Sequence, residues 1–258
     1  MKFSTLLAAF CLTALAGTAT AAPLSSAAPV SMMSVDGNKI LGQVDKLAAA
    51  FEDQSYLASM EIMKDGKVRK TLQFKAVMKG LEQQLIEFQA PGDVAGMKVL
   101  MEDASTLYVY MPEFKKVRRV AAHVQSQGFL GSEFTYEDMT QVSLSPFFDA
   151  ELAGRKGTET TLVLTPKKGI ETTFPRLEVV IDSSKGGVTT VRYFDKVGTQ
   201  VREQQRTDWK KVGGQNMPTK IIMKNLKTGD ATTITMSNIA VNQGVSPGIF
   251  SRRELLRG

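Results

Sequence analysis

The stretch Tyr56-Leu57-Ala58-Ser59-Met60-Glu61-Ile62-Met63-Lys64-Asp65-Gly66-Lys67-Val68-Arg69-Lys70-Thr71-Leu72-Gln73-Phe74-Lys75-Ala76-Val77-Met78 decides the fold. Tyr56, Ala58, Met60 and Ile62 alternate with Leu57, Ser59, Glu61 and Met63, and a period of two belongs to a strand. Asp65-Gly66 marks a tight hairpin between that strand and its return. The return strand puts Leu72, Phe74, Ala76 and Met78 on one face, with Lys70, Gln73 and Lys75 among the outward positions.

Downstream the same grammar repeats. Gly80 turns the chain into a strand from Leu81 to Gln89, which Pro91-Gly92 ends. Met97 to Met101 and Leu107 to Met111 read as two more, the second closed by Pro112. After Gly157 strands resume at 160–165, 177–182, 188–194, 201–212, 219–225 and 231–239, each bounded by a glycine-containing turn such as Gly186-Gly187 or Gly213-Gly214. This predicts a mainly β, α+β domain: a meander of roughly ten antiparallel strands, curled into a sandwich or barrel. Upstream, Asn38 opens a helical pattern in which Ile40, Leu41, Val44, Leu47, Ala48 and Phe51 recur at helix spacing. It is the one long helix expected.

The chain begins like a secretory precursor. Lys2 precedes an apolar run from Phe3 to Leu15, and Ala19-Thr20-Ala21 is an A-x-A cleavage signature, so residues 1–21 are expected to be a signal peptide cut before Ala22. Residues 22–37, rich in Ala, Ser, Pro and Met, read as a flexible leader, and 38–258 as a single domain. The one cysteine, Cys11, lies in the signal behind Phe10, where a lipoprotein signal needs a small residue. Export therefore leaves neither thiol nor disulfide. The formal net charge of +6, one unit of it from Lys2, points outside the cytoplasm to lipid head groups, glycans or an acidic protein face, not to nucleic acid.

Catalytic and metal chemistry find little footing. The single histidine, His123, has no triad partners nearby, and no His/Cys cluster of metal-ligand spacing exists. No glycine-rich phosphate loop follows a strand and opens a helix. Glu137-Asp138 are adjacent acids, and Asp138 reads as part of a helix start; a carboxylate-only hydrolase stays open as a minor alternative.

Glu113 to Phe148 is different in kind. Lys115, Lys116, Arg118 and Arg119 cluster around Val117, and Phe129, Phe134 and Tyr136 follow, spaced by small residues in a loop. Apolar side chains beside clustered cations suit an amphiphile with an acyl tail and an anionic head. An irregular plug with its cations solvated fits the same residues.

These motifs also carry a resemblance. Leu107-Tyr108-Val109-Tyr110-Met111-Pro112, Lys116-Val117-Arg118-Arg119-Val120, Phe129-Leu130-Gly131-Ser132-Glu133-Phe134-Thr135-Tyr136-Glu137-Asp138, Asn216-Met217-Pro218-Thr219-Lys220-Ile221 and Phe250-Ser251-Arg252-Arg253 resemble, in order, the outer-membrane lipoprotein-sorting protein family, a branch of the LolA/LolB-like carriers. Leu130 stands where the family often has Met, and Glu133 where Asp is common. The resemblance implies a strongly curved antiparallel sheet forming a half-open β-barrel, with a long N-terminal helix and a helix or loop lid. It implies a periplasmic, non-enzymatic carrier without cofactor that passes lipid or lipoprotein acyl chains toward the outer membrane or an RND-type exporter. The alternative is a non-enzymatic adaptor or sensor docking on such an exporter. On this reading Leu72, Phe74, Met78, Ile86, Phe88, Phe129, Phe134 and Tyr136 form the cleft, with Phe129 and Phe134 at its mouth. Lys115, Lys116, Arg118 and Arg119 meet a head group, membrane or partner.

Overall fold

A computed structural model describes residues 36–103, 106–121, 124, 127–140, 143–170 and 172–257. The expected signal peptide and all but the last residues of the leader, as well as His123, lie outside the described residues. Helix α1 (Gly37–Ala48) comes first. Six strands follow: β1 (Asp53–Lys64), β2 (Lys67–Lys79), β3 (Gln83–Ala90), β4 (Lys98–Asp103), β5 (Thr106–Met111) and β6 (Lys116–Arg119). After the short helix α2 (Tyr136–Thr140) come β7 (Phe148–Lys156), β8 (Glu159–Pro166), β9 (Arg176–Asp182), β10 (Gly187–Phe194), β11 (Gln200–Val212), β12 (Gln215–Asn225) and β13 (Ala231–Val241). A 3-10 turn (Pro247–Ile249) and helix α3 (Arg252–Leu255) close the chain.

All thirteen strands join one antiparallel sheet in the order β6-β5-β4-β3-β2-β1-β13-β12-β11-β10-β9-β8-β7. The chain starts in the middle of the sheet and meanders outward to β6. It must then cross to the opposite edge at β7 before meandering back to pair β13 with β1. The turn between β1 and β2 is the expected Asp65-Gly66, with φ of 52° and 71°; positive φ at both positions matches the right-handed twist of the strands. Register shifts interrupt β1, β2, β4, β7 and β10, and such bulges bend a sheet. The sheet is strongly curved yet open, since β6 and β7 do not pair with each other.

More strands exist than the ten or so read from the sequence, and the two that escaped are the two edges. In β6, Lys116, Arg118 and Arg119 are exposed, so charge masks any alternation. In β7 only Phe148 and Ala150 are buried before a bulge at Gly154 ends the pattern. Short, charged and bulged strands are what sheets place at their edges to block further pairing.

The helix begins one residue before Asn38. Asp36 caps it, accepting hydrogen bonds from the backbone N–H of Asn38 (2.9 Å) and Lys39 (3.4 Å). Asn38 instead docks the helix on the sheet, its Oδ1 accepting from Ala150 N–H at 2.8 Å. Gly37 permits that contact: a Cβ there would stand 2.4 Å from the Ala150 carbonyl oxygen. The C-terminal tail is tied to the convex side. Asp53 accepts from the backbone N–H of Gln243 (2.8 Å), Gly244 (2.9 Å) and Val245 (2.9 Å). These bonds, Val245's foremost, hold its carboxyl below the usual carboxylate range. Phe250 and Leu255 then pack with Leu100, Val77, Leu85 and Val117 on that side.

The main core lies on the concave side. There the inward rows of the sheet meet α1 and the segment that crosses from β6 to β7. Glu133 pins this segment: its N–H donates to Thr232 Oγ1 (2.9 Å), and its carboxylate takes Lys64 and Asn225 Nδ2 (3.0 Å).

Candidate functional site

The crossing segment fills only part of the concave side. Phe129 lies over β2 and β3, in a run of ring contacts from Phe74 to Phe88 (5.3 Å between centroids), Phe88 to Phe129 (5.6 Å) and Phe129 to Tyr136 (4.9 Å, edge-on). Beside this plug, under α1 and against β9–β13, the concave face is hollow. The cavity measures about 280 Å³, just below the usual range for small-molecule pockets, roughly 300–1,000 Å³. Its walls are mainly apolar: Leu41 and Val44 of α1, Met78, Val191, Ile221, Ile234 and Met236 of the sheet, and Phe134 and Met139 of the crossing segment. Leu47, half-exposed at the end of α1, and the hairpin tips at Gly186 and Gln215-Asn216 form the rim.

Of the eight residues expected to line a cleft, Phe74, Met78 and Phe134 line this hollow. Leu72, Ile86, Phe88 and Phe129 are buried in the filled part of the same face, with Tyr136 half-buried beside them. Phe129 and Phe134 are 0% and 2% exposed, so both sit inside the fold and not at a mouth. The aromatics look like loop residues in sequence because the crossing segment has little regular structure, yet it runs across the core. Lys115, Lys116, Arg118 and Arg119 are all exposed, at the β6 edge and the turn before it, and none lines the hollow. Among the described residues none of the four makes an ion pair.

Sequence reasoning missed the polar wall, which β11 supplies. Arg202, Gln204 and Arg206 alternate along it toward the concave side, as their partners show: Gln204 is opposite Met223, and Arg206 is opposite Ile221. Arg202 is a clasp. It donates to Asp138 Oδ2 and to the Glu133 carbonyl, both at 2.6 Å, and its guanidinium lies 4.9 Å from the Tyr193 ring and 5.2 Å from that of Phe174. Burial is the largest single influence and works to lower the Arg202 pKa, but Asp138, Tyr193 and Glu133 together offset it and hold the group above its ordinary value. Asp138 also completes a capping box for α2. It accepts from Thr135 N–H (2.8 Å), and its own N–H donates to Thr135 Oγ1 (3.0 Å). The helix start is thus the one the sequence suggested, and its acid serves a second, invisible purpose. Asp45, the other acid at the hollow, accepts from the N–H groups of Leu144 and Ser145 (3.1 and 2.7 Å), tying α1 to the crossing segment.

A model of a family of uncharacterized proteins matches residues 80–257. No curated protein matches the chain. Among solved structures, a DUF1329 family protein from Desulfovibrio piger superposes with a TM-score of 0.77 at 25% identity, covering 86% of this chain and 100% of that one. A domain described as an outer-membrane lipoprotein-sorting protein from Vibrio parahaemolyticus gives 0.75 at 20% identity, over 86% and 98% of the two chains. A LolA superfamily protein from Nitrosomonas europaea gives 0.71 at 18% identity, over 86% and 100%. The open curved sheet with its central start is therefore the LolA-like fold, and the chain belongs to the family of uncharacterized proteins whose model it matches over residues 80–257.

Proposed function

We propose that the protein is a periplasmic, non-enzymatic carrier that takes the acyl chain of a lipid or lipoprotein into the hollow on its concave face and passes it toward the outer membrane or an exporter. The observation that carries this reading is an apolar cavity with a rim open between α1 and two hairpin tips. An aliphatic chain gains about 0.8 kcal/mol per methylene on leaving water, so a shuttle needs such a hollow to compete with a membrane. Both carboxylates that line the hollow are engaged in structural bonds, Asp138 with Arg202 and Asp45 with two backbone N–H groups. That is a poor arrangement for acid–base chemistry. In this reading the exposed Lys115, Lys116, Arg118 and Arg119 are where the carrier meets an anionic membrane or its partner, away from the cargo.

Trp209, the only tryptophan of the chain, reports on the hollow because its ring is part of the lining. A hexadecyl chain brominated along its length is expected to quench most of the Trp209 emission at stoichiometric loading, while the unbrominated chain does not. Emission that stays unchanged up to the solubility limit of the brominated chain contradicts the carrier reading.

A further inference from the structure

Among the described residues that line the hollow, Arg206 is a cation without an ion-pair partner. Arg206 lines the cavity and stands in an inward row whose successive partners are Ile221, Ile234, Met60 and Leu72. A guanidinium carries five N–H donors and stays charged at any physiological pH. Among the described residues one of them is used: Nε–H donates to Gln204 Oε1 at 2.9 Å. Among the described residues neither terminal nitrogen of Arg206 has a hydrogen-bond acceptor, and no carboxylate lies within ion-pair distance.

The contrast with Arg202 gives this weight. The two arginines are four residues apart on one strand and face the same side. Arg202 has Asp138, a backbone carbonyl and two aromatic faces. Arg206 has none of these. The acid facing it across the hollow is Asp45, which acts on Arg206 through space only and whose carboxylate already accepts from Leu144 and Ser145. Tyr193 acts in the same sense, and burial outweighs both, drawing the guanidinium below its ordinary pKa. A second polar group at the wall is similarly idle: Gln84, 3% exposed and part of the lining, has a buried Oε1 without a hydrogen-bond partner. Arg206 is only partly buried, so its terminal nitrogens face the hollow and its water, and an anionic ligand would replace that water with charge-assisted hydrogen bonds.

We infer that Arg206 is the anchor for the anionic head of a single-chain amphiphile, a carboxylate or phosphate monoester, whose aliphatic tail fills the apolar remainder of the hollow. This deepens the carrier reading and rests on it, for it names the class of cargo. The cavity of about 280 Å³ suits one tail better than several. An ester or amide linkage itself offers the guanidinium no charge, whereas a free fatty acid or an alkyl phosphate presents two or more anionic oxygens to its donor fork directly at the end of the tail.

The test is equilibrium dialysis of palmitate, hexadecyl phosphate and hexadecanol against the processed protein and its Arg206→Met, Arg206→Gln and Arg206→Lys variants, with melting curves to confirm folding. The wild type is expected to hold at least one of the two anions roughly tenfold to a hundredfold more tightly than the alcohol, the range of hydrogen bonds to an ionised group. Whichever anion binds more tightly identifies the head group. Arg206→Met and Arg206→Gln are expected to bind hexadecanol as the wild type does and to lose the preference, while Arg206→Lys keeps part of it. A preference that survives in Arg206→Met or Arg206→Gln overturns the anchor, as does a wild type that binds the alcohol as well as the anions; the carrier reading then stands. A wild type that binds none of the three chains overturns both.

Discussion

Asp138→Ala is expected to cost about 3–5 kcal/mol of folding stability, the usual effect of removing one partner from a buried ion pair. Both side chains are nearly enclosed, with exposures of 9% for Arg202 and 11% for Asp138. Without the carboxylate, Arg202 keeps the Glu133 carbonyl, the flanking rings and the through-space pull of the Glu133 charge but loses its paired acid. Its Nε is already buried without an acceptor, so the site has no spare partner to offer. The capping bonds to Thr135 disappear as well, which loosens α2 and with it the wall formed by Phe134 and Met139. The double variant Arg202→Met, Asp138→Leu should recover most of the loss, because replacing both charges removes the desolvation cost along with the attraction. Urea denaturation of the three proteins checks this. A single variant within about 1 kcal/mol of the wild type, the value typical of exposed pairs, would mean that the clasp is weak.

Ile221→Trp is expected to lower the affinity for a hexadecyl chain by roughly two orders of magnitude while leaving the fold intact. Ile221 lines the hollow from β12, half-buried, opposite Arg206. An indole in its place takes up room that the tail would use. If it displaces about four methylenes, the loss is about 3 kcal/mol at 0.8 kcal/mol each. Filling a void with apolar atoms is neutral or mildly stabilising where the side chain fits, so the melting temperature should hold or rise. The matching control is Val197→Trp, on an exposed turn between β10 and β11, which should change neither quantity. Undiminished binding by Ile221→Trp would place the chain elsewhere on the molecule.

Much of the architecture is legible in the sequence because one turn fixes it. Once Asp65-Gly66 sets the register, the parity of Leu72, Phe74, Ala76 and Met78 follows, since a slip of one residue would put all of them on the wrong face. All four are buried, at 4% exposure or less. The edges β6 and β7 are illegible for the opposite reason: the exposed charges and bulges that block further pairing also erase the alternation that marks a strand. Phe129 reads as a loop aromatic because nothing local says that β1 pairs with β13, and only that pairing forces the chain to cross the concave face on its way to β7.

The polar side of the hollow could not have been read at all. Along β11, Arg202, Gln204 and Arg206 alternate with Glu203, Gln205 and Thr207, so both parities are polar and no stripe marks the inward one. Only the cross-strand partners Met223 and Ile221 show which face is enclosed. The exposed cluster from Lys115 to Arg119 is conspicuous in sequence, whereas the buried Arg202 and the partly buried Arg206 are not. The acid Asp138 is half visible, as the last residue of the Thr135–Asp138 capping box, and half hidden, as the partner of an arginine 64 residues away.

Where an acyl tail sits can be mapped by photolabelling with a palmitate analogue carrying a diazirine near its methyl end, followed by identification of the modified residues. The account predicts label on the lining of the hollow, at positions such as Met78, Ile234 and Met236, with competition by unlabelled palmitate. Label confined to exposed apolar residues away from it, such as Val68, Val197 and Leu226, would contradict the account.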